Sequence, residues 1–140
     1  MTAVPPAVPP AVPPGNYIDW LGLEFLETTG DRVVAALDLR PDHHQPYGIV
    51  HGGVHSAIVE TVASAGAAEW FGQRGEVVGV NNSTDFLRAI RAGRLSAVGT
   101  PVHRGRLQQL WLVEIRDGDE RLVARGQVRL QNVPGQHFAS

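Results

Sequence analysis

The stretch 54–71 limits the possible folds of this chain more than any other part of the sequence. It holds no proline and one glycine, Gly66, and its apolar residues recur at the spacing of an α-helix. Alanine, valine and isoleucine also fill positions between the periodic ones, so the predicted helix is apolar on nearly every side. Such a helix needs other secondary structure around it. The sequence therefore predicts one long, buried helix.

Short apolar segments on both sides of this helix predict the strands that bury it. Two segments precede the helix and four follow it, and turn residues separate the last four, which predicts an antiparallel meander. The order predicts an α+β domain, with the helix covered by a curved antiparallel sheet of five or six strands. The predicted strands are 21–27, 32–39, 77–86, 95–103, 108–115 and 122–130.

The 140 residues suffice for one domain. Residues 3–14 are three copies of Ala-Val-Pro-Pro, and paired prolines disfavour both helix and central strand. We therefore predict a flexible, proline-rich tail over 1–15 and a single domain over 16–140. A solvated leader without a fixed role is favoured for the tail over a ligand for a proline-binding module.

Composition excludes several kinds of chemistry. Cysteine is absent, which removes disulfides, thiolate catalysis and Cys-rich zinc sites, and lysine is absent, which removes Schiff-base chemistry and a P-loop. Twelve arginines against fourteen acidic residues give a formal net charge of −2, which argues against a nucleic-acid partner. Without a long apolar run or a signal-peptide pattern, we expect no membrane partner and a cytoplasmic location.

One carboxylate, Glu60, falls inside the apolar helix. Burying a carboxylate without partners is costly, so its position needs an explanation. Either Glu60 lies on a narrow solvent-facing stripe with Glu69 or pairs with an arginine, or it is a poised nucleophile or general base. Ser64 follows one helical turn later and shares the face of Glu60, where a hydroxyl can hold water or substrate.

The pair Gly52 and Gly53 stands where the helix begins. A helix N-terminus offers unpaired N–H groups and a partial positive charge, and glycine lets a ligand approach them closely. The Gly52 amide is therefore a candidate donor to a developing oxyanion. A plain glycine-rich loop is the alternative.

Two other sites are disfavoured. His51 and His55 are spaced i,i+4, but Gly52 stands where a zincin motif requires glutamate, and cysteine or acidic co-ligands are missing nearby. His43 and His44 are interpreted as loop residues, and we expect neither a metal nor another cofactor. Ser64 lacks the Gly-x-Ser-x-Gly elbow and follows no strand, so it is not predicted to be a hydrolase nucleophile.

These residues together resemble a known family. The motif is Gly48-Ile49-Val50-His51-Gly52-Gly53, with Gln45 six residues before the histidine and Glu60 nine after it. Similarity continues through residues 82–88, the Arg91-Ala92-Gly93 turn and residues 121–126. The chain resembles the hotdog-fold acyl-CoA thioesterases, in particular their phenylacetate-pathway (PaaI-type) and aryl-CoA branch, over nearly everything except the tail.

The resemblance implies a hotdog fold, paired into dimers edge to edge or further into tetramers, with active sites at the subunit interface. Glu60 is then the catalytic carboxylate, which attacks the thioester carbonyl or activates water. The Gly52 amide of the opposite subunit polarises the carbonyl. From that same subunit, Gln45 orients the carboxylate, the thioester or the water, and His51 helps to position the loop and the thioester. Ser64 contacts water or the acyl group.

The resemblance also bears on the substrate. Gln45 with Glu60 is more similar to the hydroxybenzoyl-CoA and dihydroxynaphthoyl-CoA thioesterases, which favours an aromatic acyl group. Arginines and histidines near two turns are candidates for the CoA phosphates, since guanidinium forks suit phosphate oxygens, although a solvated basic edge is equally expected for each. The candidates for CoA or substrate contact are Gly53, Asn82, Ser83, Arg88, Arg91, Arg94, His103, Arg104 and Arg106, with 103–106 ranked slightly higher.

The sequence thus predicts an acyl-CoA thioesterase that hydrolyses a CoA thioester to the free acid and CoA. A non-catalytic acyl-CoA-binding or regulatory protein of the same fold is the alternative, since fold does not fix function. A hotdog dehydratase is a poorer match to the residues of the helix.

Overall fold

The computed structural model describes residues 15–136. The Ala-Val-Pro-Pro repeats therefore lie outside the described residues. Two helices, two short 3-10 turns and six strands follow one another along this part of the chain. Their bounds are α1 Tyr17–Leu21, β1 Glu24–Thr28, β2 Val33–Asp38, a 3-10 turn Pro41–His43, α2 Gly52–Phe71, a 3-10 turn Gly72–Arg74, β3 Gly75–Phe86, β4 Arg94–Arg104, β5 Gln108–Arg116 and β6 Leu122–Pro134.

The long helix is confirmed, and α2 contacts all six strands. Val59, Val62 and Ala63 are fully buried against the sheet, and Trp111 of β5 is buried opposite them. Full burial of one such aliphatic side chain contributes about 1.5–3 kcal/mol. One helix on one antiparallel sheet is the architecture that the resemblance to the hotdog proteins implied.

The helix is not covered on every side, however. A stripe along α2 formed by Gly53, Ala57, Glu60, Ser64 and Ala68 is exposed or half-buried. The sheet of one chain thus covers the opposite side of the helix and leaves this stripe uncovered.

The six strands form one antiparallel sheet in the order β1-β2-β4-β5-β6-β3. Strands β4, β5 and β6 are the predicted meander, but the predicted pairing of β3 with β4 is wrong. Strand β3 pairs with β6, from Gly75 opposite Pro134 to Phe86 opposite Ala124. The packing of the helix explains this pairing: Phe86, at the end of β3, lies on Gly52 at the start of α2, so the helix runs alongside β3 at the edge next to β6.

The start of the domain also differs from the prediction. Leu21, predicted to open the first strand, ends the short helix α1 and is fully buried. Asn16 caps that helix, accepting from the backbone N–H of Asp19, while the Asp19 carboxylate accepts from the Asn16 N–H. This reciprocal cap favours a helical turn over an extended strand.

A buried polar network joins the helix to the far strands. Gln109 donates to the Ala67 carbonyl of α2 at 3.2 Å and to Asn132 at 2.9 Å, and it accepts from the Trp111 indole at 2.8 Å. Asn132 donates in turn to the carbonyl of Gly105 at 2.9 Å. Because every member is paired, the network fixes the β4–β5 turn relative to α2.

Candidate active site

The loop before α2 is held by its own backbone and by one arginine. The Gln45 N–H donates to the Ile49 carbonyl at 2.8 Å, and the Gly48 N–H donates to the Gln45 carbonyl at 2.9 Å. Arg91 donates from one guanidinium nitrogen to the carbonyls of Tyr47 and Gly48, at 3.2 and 3.1 Å. Arg91, predicted as a CoA contact, thus joins this loop to the turn after β3.

His51 caps the helix. Its Nδ1 accepts from the Gly53 N–H at 2.7 Å, which leaves the proton of the neutral ring on Nε2. A Cβ at position 53 would lie 2.8 Å from that same Nδ1, so residue 53 has to be glycine for the ring to fit. Gly53 and His51 are thus explained by how the helix begins.

The Gly52 N–H is left without an acceptor in residues 15–136. Its neighbours are satisfied, since Gly53 donates to His51 Nδ1 and Val54 donates to the His51 carbonyl at 2.9 Å. A Cβ at position 52 would lie 2.5 Å from the Phe86 ring, which therefore packs directly on the first turn of α2. An unpaired N–H at a helix N-terminus is suited to stabilise negative charge on an oxygen.

A cavity of about 280 Å³ opens at this point. Four of the residues that line it have large apolar side chains. Gln45 contributes its side-chain amide and Gly52 its backbone N–H, the two polar groups predicted from the sequence. Gln45 accepts from the Tyr47 N–H through its side-chain oxygen, which leaves the amide nitrogen as a donor. The lining residues are Gln45, Ile49, Val50, Gly52, His55, Phe86, Leu87, Arg88 and Ala89.

Glu60 lies away from this cavity within one chain. Eight residues separate it from Gly52, which is about 12 Å along the helix axis. Glu60 is exposed and has no hydrogen bond or ion pair with any described residue, so pairing with an arginine is not its explanation. A Cβ at Gly79 of β3 would lie 3.9 Å from its Cγ, which places the carboxylate arm over β3. Ser64 is half-buried one turn further on.

Strand β3 is an open edge of the sheet beside Glu60. It pairs with β6 on one side only, and Val78 and Val80 are 38% and 50% exposed. Asn82 ties the strand to the helix, because its side chain donates to the Ser56 carbonyl at 2.9 Å. Ser83 alternates to the other face of the sheet and lines a separate cavity with Asp85 and Arg125.

Some of the arginines and histidines predicted to contact CoA are already bonded to other residues of the chain, and others are not. Arg104 donates to the Gly30 carbonyl at 2.6 Å and pairs with Asp31 at 2.8 Å, and Arg94 pairs with Asp38 and Glu24. His103 and Arg106 are exposed on the β4–β5 turn. Their neighbour Arg104 is thus already occupied by the β1–β2 turn.

Arg88 is the free arginine nearest to the cavity with Gly52. Its guanidinium has no partner among the described residues. It lines the cavity beside Gly52 and also a second one, of about 440 Å³, next to Asp117 and Arg121. Arg88 therefore lies where a ligand that extends out of the first cavity can place a phosphate group.

Comparison with known proteins identifies the family. The model of the Thioesterase superfamily matches residues 47–124. The chain belongs to the thioesterase superfamily. This match includes Gly52, Glu60 and the whole helix, and it begins two residues after Gln45.

Individual relatives agree with this assignment. The solved structure of AziG from S. sahachiroi has a TM-score of 0.84 and 55% identity, and the match covers 86% of this chain and 98% of AziG. Protein MT1895 of Mycobacterium tuberculosis (strain CDC 1551 / Oshkosh) is 53% identical over 81% of this chain and 83% of its own length. The 1,4-dihydroxy-2-naphthoyl-CoA hydrolase of Escherichia coli (strain K12) is 32% identical over 77% and 79%. This thioesterase is thus a hydrolase with the hotdog fold.

The sequence does not predict a role for two residues beside the site, Phe86 and His55. Phe86 belongs only to the similar segment 82–88, and His55 only to the disfavoured metal site. The signal for Phe86 was its position at the end of a predicted strand. His55 carries a sequence signal too, since it is a polar residue on the otherwise apolar first turn of α2.

No helix within residues 15–136 is long and apolar enough to cross a membrane.

Proposed function

We propose that this thioesterase hydrolyses an acyl-CoA, with an aromatic acyl group, to the free acid and CoA. The observation that carries the proposal is the unpaired Gly52 N–H, which lies at the N-terminus of α2 and lines a cavity with Gln45. A thioester carbonyl oxygen that accepts from this N–H becomes more electrophilic. The oxyanion that forms on attack is stabilised by the same donor, which is worth about 3–4 kcal/mol in comparable sites.

Glu60 is the catalytic carboxylate. As a nucleophile, its carboxylate adds to the thioester carbon and expels CoA thiolate, and water then hydrolyses the mixed anhydride. As a general base, it takes a proton from water, whose oxygen adds to the same carbon, and the C–S bond then breaks to release CoA thiolate, which takes up that proton. Ser64, one turn away on the same face, holds the water or the acyl group in either route.

The site is assembled from two copies of the chain. About 12 Å along α2 separates Glu60 from Gly52, so one chain cannot bring both to a single carbonyl carbon. The uncovered stripe of α2 and the open edge of β3 adjoin Glu60, and pairing with a second copy there buries both. Gln45, His51 and Gly52 of one protomer then face Glu60 and Ser64 of its partner, in a dimer or a tetramer.

The CoA part of the bound substrate extends out of this site past Arg88, whose free guanidinium is suited to bind the phosphates. The aromatic preference is supported by the apolar walls of Ile49, Phe86 and Leu87 and by the E. coli relative named for a naphthoyl-CoA. The cytoplasmic location stays a prediction.

Complementation between two inactive variants tests the shared site. Glu60→Ala and Gln45→Ala are produced separately and also co-expressed with different affinity tags, and the doubly tagged pair is assayed for thiol release from aryl-CoAs. If the residues come from different chains, one of the two sites in the mixed pair is intact, and about half of the wild-type activity returns.

A shared site is wrong if the mixed pair stays as inactive as its parents while both variants remain folded and paired. If the wild type binds CoA thioesters but cleaves none, the non-catalytic binding protein replaces the enzyme. The chain itself contributes no thiol background to the assay, because it has no cysteine.

A further inference from the structure

His55 is buried without a hydrogen-bond partner. The residue is 3% exposed, and its Nδ1 is the one enclosed side-chain nitrogen or oxygen in residues 15–136 that has no partner. Leaving a buried polar atom unpaired costs about 1–3 kcal/mol. Burial also lowers the pKa of His55 to about 4, so the ring is neutral near pH 7.

The other buried polar side chains of the domain are satisfied. His43 bonds the Leu21 carbonyl at 2.8 Å through Nε2 and accepts from the Arg40 N–H at 3.1 Å through Nδ1. Gln109 and Asn132 pair with each other at 2.9 Å. The unpaired atom at His55 is therefore an exception that needs its own cause.

That exception lies at the proposed active site. The His55 ring lines the same cavity as Gln45 and Gly52, three residues along α2 from Gly52, which is about 4.5 Å of rise. The Phe86 ring stands 6.0 Å from it, centroid to centroid, and also packs on Gly52. An acyl group whose carbonyl oxygen accepts from the Gly52 N–H extends into the space that the two rings line.

We propose that His55 is a specificity-determining residue, which hydrogen-bonds an uncharged polar substituent, such as a hydroxyl, on the acyl group of the substrate. This inference rests on the proposed function, because it assumes that the acyl group occupies this cavity. A neutral imidazole has one donor and one acceptor, so it pairs with either side of a hydroxyl. Nδ1 is enclosed in the free protein, so the substituent bonds the ring edge that lines the cavity, or bonds Nδ1 after the ring turns over about the Cβ–Cγ bond.

A substituent comparison tests the role of His55. Values of kcat/KM are measured for benzoyl-CoA and for 2-, 3- and 4-hydroxybenzoyl-CoA, with the wild type, His55→Phe and His55→Gln. We expect the best hydroxybenzoyl-to-benzoyl ratio of kcat/KM to fall at least about tenfold in His55→Phe, the equivalent of one hydrogen bond. His55→Gln retains part of the preference. Comparing ratios between variants cancels the electronic effect of the hydroxyl on the thioester.

A ratio unchanged in a folded His55→Phe overturns the proposal. So does an equal loss for all four substrates, because a purely structural role gives that result. If His55→Phe does not fold, His55→Gln and His55→Asn carry the comparison.

A binding measurement separates failure of this inference from failure of the proposed function. Imidazole ¹H–¹⁵N signals are recorded with phenacyl-CoA and 4-hydroxyphenacyl-CoA, thioethers that cannot be hydrolysed, and with the 2- and 3-hydroxy isomers. We expect the His55 signal, identified by its loss in the variants, to shift more with a hydroxylated ligand than with phenacyl-CoA. That shift in a protein that cleaves no thioester keeps the His55 site and rejects the enzyme, whereas equal or absent shifts overturn the inference.

Discussion

The two ends of the proposed chemistry are built very differently within one chain. Around Gly52 the backbone is fixed by the His51 cap and by Arg91, and one N–H is left free at the wall of a cavity. Around Glu60 the carboxylate is exposed and unpaired, beside the open edge of β3. Under the proposed function, a single chain therefore fixes the groups that polarise the carbonyl and leaves the carboxylate exposed.

The largest expected effect tests the exposed half. We expect Glu60→Ala to lower kcat by about 10³-fold or more, because positioned acid-base groups contribute about 10²–10⁴ and no other described carboxylate lies on that stripe of α2. The melting temperature should not fall, since Glu60 has no partner in its own chain and burying its carboxylate in the proposed dimer is itself costly. Thiol release and thermal unfolding are measured together.

Glu69→Ala is the matched control for that variant, since it removes an exposed glutamate from the same helix. Turnover in Glu60→Ala that equals turnover in Glu69→Ala contradicts a catalytic role for Glu60.

The next effect tests the organised half. Gly52→Ala places a Cβ 2.5 Å from the Phe86 ring, which has to move, and we expect kcat/KM to fall about 10- to 100-fold. The double variant with Gly52→Ala and Phe86→Leu should lose less kcat/KM than the two single losses combined. The smaller side chain at position 86 gives the new methyl group room. Strict additivity of the two costs, in free energy from kcat/KM, rules out the contact as the cause.

A smaller effect compares a free cation with an engaged one. We expect Arg88→Ala to raise KM for acyl-CoA about 3- to 10-fold and to leave KM for the acyl-pantetheine analogue, which lacks the nucleotide phosphates, nearly unchanged. Arg104→Ala should leave both KM values nearly unchanged, because its guanidinium is bound to Gly30 and Asp31. If Arg104→Ala raises KM for acyl-CoA and Arg88→Ala does not, the CoA phosphates bind at the β4–β5 turn instead.

The smallest effect is on stability. Burial lowers the pKa of His55 to about 4, and burial is also the largest cause of the lowered pKa of His43. As pH falls below about 6.5, these histidines take up protons in the unfolded chain but stay neutral in the folded chain. Acidification therefore favours unfolding, and stability present above pH 6.5 is lost toward pH 4. For His55 alone the loss between pH 6.5 and 5.5 is about 1 kcal/mol.

Urea unfolding of the wild type and His55→Phe at both pH values measures this loss. The variant should lose less stability on acidification, and an identical pH dependence excludes His55 as a source.

Much of the fold was predictable because it depends on local patterns. The apolar run gave α2, and alternation with turn residues gave the meander β4–β6. The place of β3 was not predictable in this way, because it depends on how α2 packs over the sheet, and that packing is set by residues far apart in the sequence. The short helix at Tyr17–Leu21 had a readable signal, the Asn16 and Asp19 cap.

The site was predictable to a smaller extent. Gly52, Gln45 and Glu60 follow from a motif, and their proposed roles stay predictions. What engages Arg104 could not be inferred, since Gly30 and Asp31 lie more than 70 residues away in the sequence. The unpaired Nδ1 of His55 likewise arises from the surrounding packing, which one sequence does not display.

The open edge of β3 has a consequence for aggregation in the cell. A twelve-residue strand with one row of backbone groups unpaired, carrying exposed Val78 and Val80, is a template for any extended segment that reaches it. If the second copy covers this edge, a chain too dilute to find its partner is both inactive and prone to aggregate. Expression level then determines the misassembled fraction as well as the amount of working enzyme.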